Sequence, residues 1–291
     1  MKVSVVIINW NGGEKLKTYL PEVLKLKQVD EFIVTDDAST DNSLDFLEKN
    51  YPQVKLVKRN KNGGFSSNAN SGVKGSNGDL VFLLNPDAVP NRDCIINALP
   101  YFKDEAVFSV GCNTGGCWSW ANWQDGFFWH YMSPGKIQSH QTLWSRGGSG
   151  IFRKKTWEKF GGMDELYNPF YEEDVDLGYR AIKRGYKNIW VKDCVVTLPE
   201  EKGVIEENIS KGKLSKIAQR NQLLFIWKNI TSENLITEHK SALIKMLLTK
   251  PGYWPVFISA VIKYPEILGK RTIEKKEQKL SDEEILEMFK K

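Results

Sequence analysis

"EFIVTDDASTDNSLDFLEKNYPQVKLVKRN", residues 31–60, reads strand, helix, strand, and that order decides the fold. "EFIVTDD" (31–37) is a short apolar, partly β-branched run that stops on two carboxylates. "NSLDFLEKNY" (42–51) has helical spacing, and "VKLVKRN" (54–60) returns to strand character. A strand–helix–strand unit of this length makes a right-handed crossover between parallel strands. The same alternation extends both ways. Upstream lie a buried strand, "VSVVIINW" (3–10), and an amphipathic helix, "GEKLKTYLPEVLKLK" (13–27), interrupted by Pro21. Downstream, "GFSSNANSGVKGS" (64–76) opens a Gly/Asn-rich helix before a fourth strand, "DLVFLLN" (79–85). The expected class is α/β, a Rossmann-like, mostly parallel central sheet flanked by helices. Ligands of such sheets bind beyond the carboxyl ends of the strands, where Asp36, Asp37 and Asp87 stand.

The pattern then changes. "CWSWANWQDGFFWHY" (117–131) holds seven aromatics in fifteen positions without regular alternation, and reads as a loop or irregular insertion. Helices are expected near 154–160 and 173–185, and mainly helices from about 214 onward. Composition is globular, 41% hydrophobic and 26% charged, with a formal net charge of +5. Residues 202–291 hold 17 Lys and Arg against 11 Asp and Glu, so the positive excess sits in the C-terminal third. Cys94, Cys112, Cys117 and Cys194 have neither C-x-x-C spacing nor the density of a disulfide scaffold, which favours reduced thiols. Met1-Lys2 leads straight into a strand, without a secretory pattern, and no apolar run reaches the roughly 18–20 residues of a bilayer span. A cytoplasmic location is expected, with no nucleic-acid partner; oligomeric state is not specified.

Three acidic clusters carry the chemistry: "TDDASTD" (35–41), "NPDA" (85–88) and "YEEDVDLGYR" (171–180). Between the first two lies "NGGFSSNANSG" (62–72), whose glycines permit close backbone approach and whose helix start offers amides to an anion. Together they suggest a nucleotide diphosphate site, with Asp87 available to a divalent metal. Neither a P-loop nor a G-x-G-x-x-G fingerprint is present. Other readings are bland: Asn85-Pro86-Asp87 is ordinary turn chemistry, the acids of 172–176 suit a helix start, and Asp176 and Arg180 can simply pair.

In order along the chain, "SVVIINWN", "IVTDDASTDNS", "NGGFSSNANSG", "FLLNPDA", "GGSGIFRKKTWEKFGGMDE", "FYEEDVDLGYR" and "RNQLLFIWKN" resemble the family-2 inverting glycosyltransferases of GT-A fold, in their rhamnosyltransferase-like branch. The resemblance implies a GT-A catalytic domain over 1–213, with a donor half (1–100) and an acceptor half (101–213), then a helical region (214–291). It implies Asn9, Asp36, Asp37, Ser39, Asn62, Gly64, Phe65 and Asn85 around a dTDP- or UDP-linked sugar. Asp87 takes the place of the family's metal-binding aspartate, for Mn2+ or Mg2+, and Asp174 that of the catalytic base. Gly148 and Glu173 fall on the acceptor side, as do Trp118, Trp120, Trp123 and Trp129, whose faces suit a sugar ring, a lipid or a local mini-core. The expected reaction is sugar transfer to a glycan or lipid-linked acceptor in cell-surface polysaccharide biosynthesis. One departure concerns metal dependence: the family's late histidine is replaced by Thr197 or Leu198 in "DCVVTLPEEKG", which leaves a thinner metal site, one that recruits Glu200 or Glu201, or a weak one. The alternative is a degenerate member serving as a glycan-binding or scaffold subunit; a nucleotidyltransferase lacks support in "NWNGGEK". Finally, "GYWPVFISAVIKYPEILGKR" (252–271) is too short to span a bilayer but suits a helix lying peripherally on an anionic inner membrane face.

Overall fold

The computed structural model describes residues 1–198 and 209–290. Its first half follows the alternation: β1 (Val3–Asn9), α1 (Gly13–Val23), β2 (Glu31–Asp36), α2 (Ser43–Asn50), β3 (Lys55–Lys58), α3 (Phe65–Gly75) and β4 (Leu80–Leu84). β1 and β4 are buried along their whole length, as expected of inner strands covered on both faces. α1 ends at Val23 rather than at 27. The helix runs through Pro21, and Lys25 and Leu26 then close the chain with three-residue turns.

Next come β5 (Val89–Pro90), α4 (Cys94–Ala98), β6 (Val107–Asn113), β7 (Cys117–Gln124), β8 (Phe127–Pro134), β9 (Ser139–Gln141), β10 (Ser149–Arg153), α5 (Lys154–Lys159), α6 (Glu173–Lys183) and β11 (Lys187–Thr197). The main sheet runs β3-β2-β1-β4-β10-β6-β11-β5, with β9 pairing β11. Strands β1 to β4 are parallel, and so are β6 and β11; β10 runs antiparallel between β4 and β6. The thiols of Cys94, Cys112 and Cys194 meet in the core beneath this sheet, all free.

The aromatic stretch 117–131 is not an irregular insertion. It is the hairpin β7–β8, in register Trp120↔Tyr131 and Gln124↔Phe127. Its two-residue turn is Asp125-Gly126, both at positive φ (52° and 75°). Asp-Gly is the residue pair that a type I′ hairpin turn selects, and it was the signal in the sequence that outweighed poor alternation.

The C-terminal helices are α7 (Lys211–Asn229), α8 (Glu233–Thr249), α9 (Trp254–Val261), α10 (Tyr264–Glu277) and α11 (Asp282–Met288). They share one apolar core with the hairpin and α6, including Phe128, Tyr179, Phe225 and Ile285. Buried ion pairs join them to α6: Lys183 to Asp282 at 2.6 Å and Arg184 to Glu274 at 2.7 Å. Asp176 does pair with Arg180, at 2.7 Å, and also receives Lys228. Asp164 caps the turn 165–167 and binds Lys228 and Lys270. Among the described residues, no helix is long and apolar enough to cross a membrane.

Candidate active site

At the carboxyl ends of β1 and β2, Asn9 and Asp36 face each other in the parallel register. Asp36 is buried and accepts from the Asn9 amide (2.8 Å), the Ser39 backbone N–H (2.9 Å) and the Ser39 hydroxyl (2.6 Å). Ser39 in turn accepts the N–H of Asn11. This carboxylate therefore shapes the loop instead of opening to solvent.

Asp37 has a different set of partners. It accepts from the Arg59 guanidinium (2.7 Å) and from the backbone N–H groups of Gly63 and Gly64. It thereby fixes the glycine turn that opens α3. Gly64 has φ of 87°, and a Cβ there would lie 2.8 Å from Asn168 Oδ1 and 2.9 Å from the Pro169 carbonyl. Only glycine fits both the backbone angle and the space.

Beyond β4, Asn85 N–H donates to the Gly148 carbonyl at 2.9 Å, and Gly148 packs so closely that a Cβ would meet Asn85 Cγ and Oδ1 at 2.4 Å. Gly148→Ala is expected to cost about 1–3 kcal/mol by overpacking and to displace Asn85. Thermal melting checks it against Gly212→Ala on α7, which meets nothing within 4 Å and should raise Tm slightly because alanine favours the helix. Asp87 follows, half-buried, with Oδ2 2.8 Å from the ammonium of Lys15 on α1. It presents one hard oxygen ligand. Among the described residues, the one group of three possible metal ligands is the buried cysteine trio, which offers soft sulfur; Asp87 alone fits an ion that completes its shell with substrate phosphates and water, as Mg2+ commonly does. Leu198 lines the cavity in the region of the missing histidine; Glu200 and Glu201 lie outside the described residues.

The opposite wall is the start of α6. Tyr171 and Glu172 stand at φ of 73° and 75°, consecutive left-handed residues just before the helix. Each costs of order 1–3 kcal/mol. Asn221 of α7 holds them by donating its buried amide to the carbonyls of Tyr167, Phe170 and Tyr171 at 2.8–2.9 Å. Asp174 then accepts the Val175 N–H (2.8 Å) and the Gly147 N–H (3.3 Å). Burial raises its carboxyl above the ordinary range, against the pull of those two N–H groups and of His130. Glu173, 7% exposed, is pushed well above the ordinary range by burial and by the charge of Asp174. Its Oε2 has no hydrogen-bond partner among the described residues. His130 on β8 lies 3.0 Å from Glu172. Burial disfavours its charge, but Glu172 and Asp174 outweigh that and raise its pKa.

These walls enclose a cavity of about 780 Å³. Asn9, Asp37, Asn62, Gly64, Phe65, Asn85, Asp87, Gly148, Glu173 and Asp174 line it. Asp36 and Ser39 stand behind that surface. Trp118, Trp120, Trp123 and Trp129 lie outside it: Trp120 stacks on Tyr131 at 4.7 Å, Trp123 donates to Glu238, Trp118 stacks on His140 at 4.8 Å, and Trp129 is 43% exposed. The hairpin presents His130 and Met132 to the cavity instead, joined by Trp144 and Arg146. Sequence reasoning missed His130, Glu172 and Asn221. Only "RNQLLFIWKN" and the acidic run 172–174 pointed near them.

Comparison with known proteins adds the family. Residues 4–158 match the model of glycosyl transferase family 2. TarP, a poly(ribitol-phosphate) β-N-acetylglucosaminyltransferase of Staphylococcus aureus strain N315, is 34% identical over 109 residues, 35% of this chain and only 33% of that protein. An N-acetylglucosaminyl-diphospho-decaprenol L-rhamnosyltransferase of Mycobacterium tuberculosis (H37Rv) is 23% identical over 233 residues, 67% of this chain and 75% of its own length. Among solved structures, GalNAc-T7 with UDP, GalNAc and Mn2+ aligns at a TM-score of 0.65, covering 87% of this chain and 57% of that one at 14% identity. That likeness is one of fold, and the fold is GT-A. The family match takes in more than half of the chain, including both acidic strand ends and the glycine loop between them, so this chain belongs to glycosyl transferase family 2.

Proposed function

We propose that the cavity binds a dTDP- or UDP-linked sugar and transfers the sugar, with inversion, to a hydroxyl of a glycan or lipid-linked acceptor. The observation that carries this reading is Asp174, a carboxylate held by two backbone N–H groups on the wall of the cavity that Asp37 and Asp87 also line. Asp174 takes the acceptor's hydroxyl proton as the acceptor oxygen bonds to the anomeric carbon. The bond from that carbon to the diphosphate breaks, and its electron pair leaves with the nucleotide. A single displacement inverts the centre. Asp37 and Asn9, with Asp36 and Ser39 behind them, shape the seat of base and ribose; Asn62, Gly64, Phe65 and Asn85 line the diphosphate path. Asp87 would hold Mn2+ or Mg2+, which when bound neutralises charge on the diphosphate. Glu173, favouring its neutral form, donates a hydrogen bond to a sugar hydroxyl. The names of the rhamnosyl- and N-acetylglucosaminyltransferase relatives support a sugar destined for a cell-surface polymer.

Inversion is tested by the anomeric configuration of the product, read by NMR after turnover with a panel of dTDP- and UDP-sugars. Opposite configuration to the donor supports the single displacement; retained configuration overturns it. The leucine at 198 favours one other reading, a glycan-binding subunit without turnover, and release of nucleoside diphosphate excludes that.

The pH profile gives a further check. The base works ionised, so kcat/KM should rise with pH through an apparent pKa above the usual carboxylate range, because the Asp174 pKa is raised. His130 lowers that pKa and Glu172 raises it. His130→Ala is therefore expected to move the ascending limb to higher pH, and Glu172→Gln to lower pH.

A further inference from the structure

Helices α8, α9 and α10 leave an apolar surface that the core does not use. On α9, Val256 and Ala260 are buried against the second core, whereas Trp254, Ile258 and Ile262 just beyond its end are 45%, 52% and 74% exposed. The surface continues through Ile244 and Leu248 at the end of α8 and Leu268 on α10, exposed by 60%, 78% and 50%. Spacings of four residues on each helix (244/248, 254/258/262, 264/268) keep these side chains on one side. The Trp254 indole donates to the Leu247 carbonyl, which sets the start of α9 beside the end of α8, and exposed apolar side chains grouped in this way mark an interaction site.

Its charges say with what. Residues 240–268, which hold all of these side chains, contain Lys240, Lys245, Lys250 and Lys263 against one acid, Glu266, which pairs with Lys270 at 3.5 Å. Lys250 and Lys263 flank α9 at its two ends, while Lys240 and Lys245 lie one turn or less from Ile244 and Leu248. A second copy of this face would bring like charges together. A plane of lipid phosphates would not.

We propose that this surface docks on an anionic lipid bilayer, with α9 lying in the headgroup region. Eight residues of helix reach only about 12 Å, less than half of the hydrocarbon core, so the element rests in the interface. Trp254 supplies the amphipathic ring that such interfaces favour, its indole N–H satisfied by the Leu247 carbonyl at 3.1 Å. The inference does not depend on the reaction proposed above. It does connect with it: α9 and α10 pack on α7, and Ala218 of α7 lines the cavity, so docking would hold the cavity at a fixed height above lipid-linked acceptors.

The test is flotation of the full chain with vesicles of phosphatidylcholine alone and of equimolar phosphatidylcholine and phosphatidylglycerol. Binding is expected to the anionic vesicles, weakening as salt rises. Ile258→Glu/Ile262→Glu, at exposed positions, should keep the wild-type melting temperature and reduce vesicle binding by about tenfold or more. Lys250→Glu/Lys263→Glu should remove most of the preference for anionic lipid, because it replaces two of the face's four lysines with like charges to the lipid. Absence of binding, or equal binding to both vesicles, overturns the proposal. So does a dimer in sedimentation analysis that the Ile258→Glu/Ile262→Glu variant abolishes, which would assign the face to a second copy.

Discussion

Asp174→Asn is expected to lower kcat by about 10²–10⁴-fold, the usual worth of general-base catalysis, while leaving nucleotide affinity unchanged. The amide keeps the shape of the carboxylate, and its oxygen can still accept the Val175 N–H. Its nitrogen would face the Gly147 N–H, now 3.3 Å from Oδ2, a mild repulsion that the long contact tolerates. What is lost is basicity. Rates of nucleoside diphosphate release, with calorimetric nucleotide binding alongside, separate the two effects, and wild-type turnover by the folded variant would remove Asp174 from the role of base. Glu173→Gln offers a contrast. Because burial already favours the neutral acid there, the glutamine keeps a hydrogen-bond donor in place, and the loss should be far smaller.

The second large effect falls on stability. Lys183 and Asp282 are both fully buried and 2.6 Å apart. Lys183 also donates to the Asn229 carbonyl and the Thr231 hydroxyl, while Asp282 accepts the Tyr179 hydroxyl and the N–H of Ser232. Lys183→Met would strand the Asp282 charge, at a cost of about 3–5 kcal/mol and a fall in Tm of about 10 °C. Adding Asp282→Asn should recover part of the loss, because it removes the stranded charge while its amide oxygen still accepts from the donors around it. Burial works against the Asp282 carboxylate, but Lys183 and the Tyr179 and Ser232 donors hold its pKa below the ordinary value. A depressed acid contributes stability that is full above its unfolded pKa, about 3.9, and disappears as pH falls through the folded value. Acid unfolding of the wild type should therefore begin by freeing α11 from α6, which hydrogen exchange in α11 would detect.

The sheet was legible because alternation is local. The apolar run of β4, ended by Asn85-Pro86-Asp87, needs no distant partner to be recognised, and neither does the β2–α2–β3 unit. The C-terminal region was harder, since α7 buries Phe225 against Phe128 and Tyr179, residues about a hundred and about fifty positions away in the chain. Such contacts leave no local period. The hairpin was obscured by its tryptophans, which fall on both faces, although Asp125-Gly126 announced the turn.

In the cavity, Asp37, Asp87 and Asp174 could be named because each ends or begins an element that the sequence marks. His130 could not. It belongs to a strand hidden in an aromatic run, and it reaches Glu172 only because two residues in left-handed conformation turn the chain back before α6. Neither is β-branched or glycine, so nothing in their identity signals the turn. Asn221 is of the same kind: a buried polar residue whose place is explained by the three carbonyls to which it donates, in a segment about fifty residues earlier.

The most direct test of the nucleotide-sugar site is the thermal shift of the wild-type chain with UDP, dTDP, GDP and CDP, each with and without Mn2+ or Mg2+. A ligand at about 100 times its Kd stabilises by about 2.7 kcal/mol, enough to move Tm by several degrees. The expected result is a rise with UDP or dTDP that is larger with metal, the metal increment being lost in Asp87→Asn. No shift with any nucleotide, with or without metal, would contradict the site.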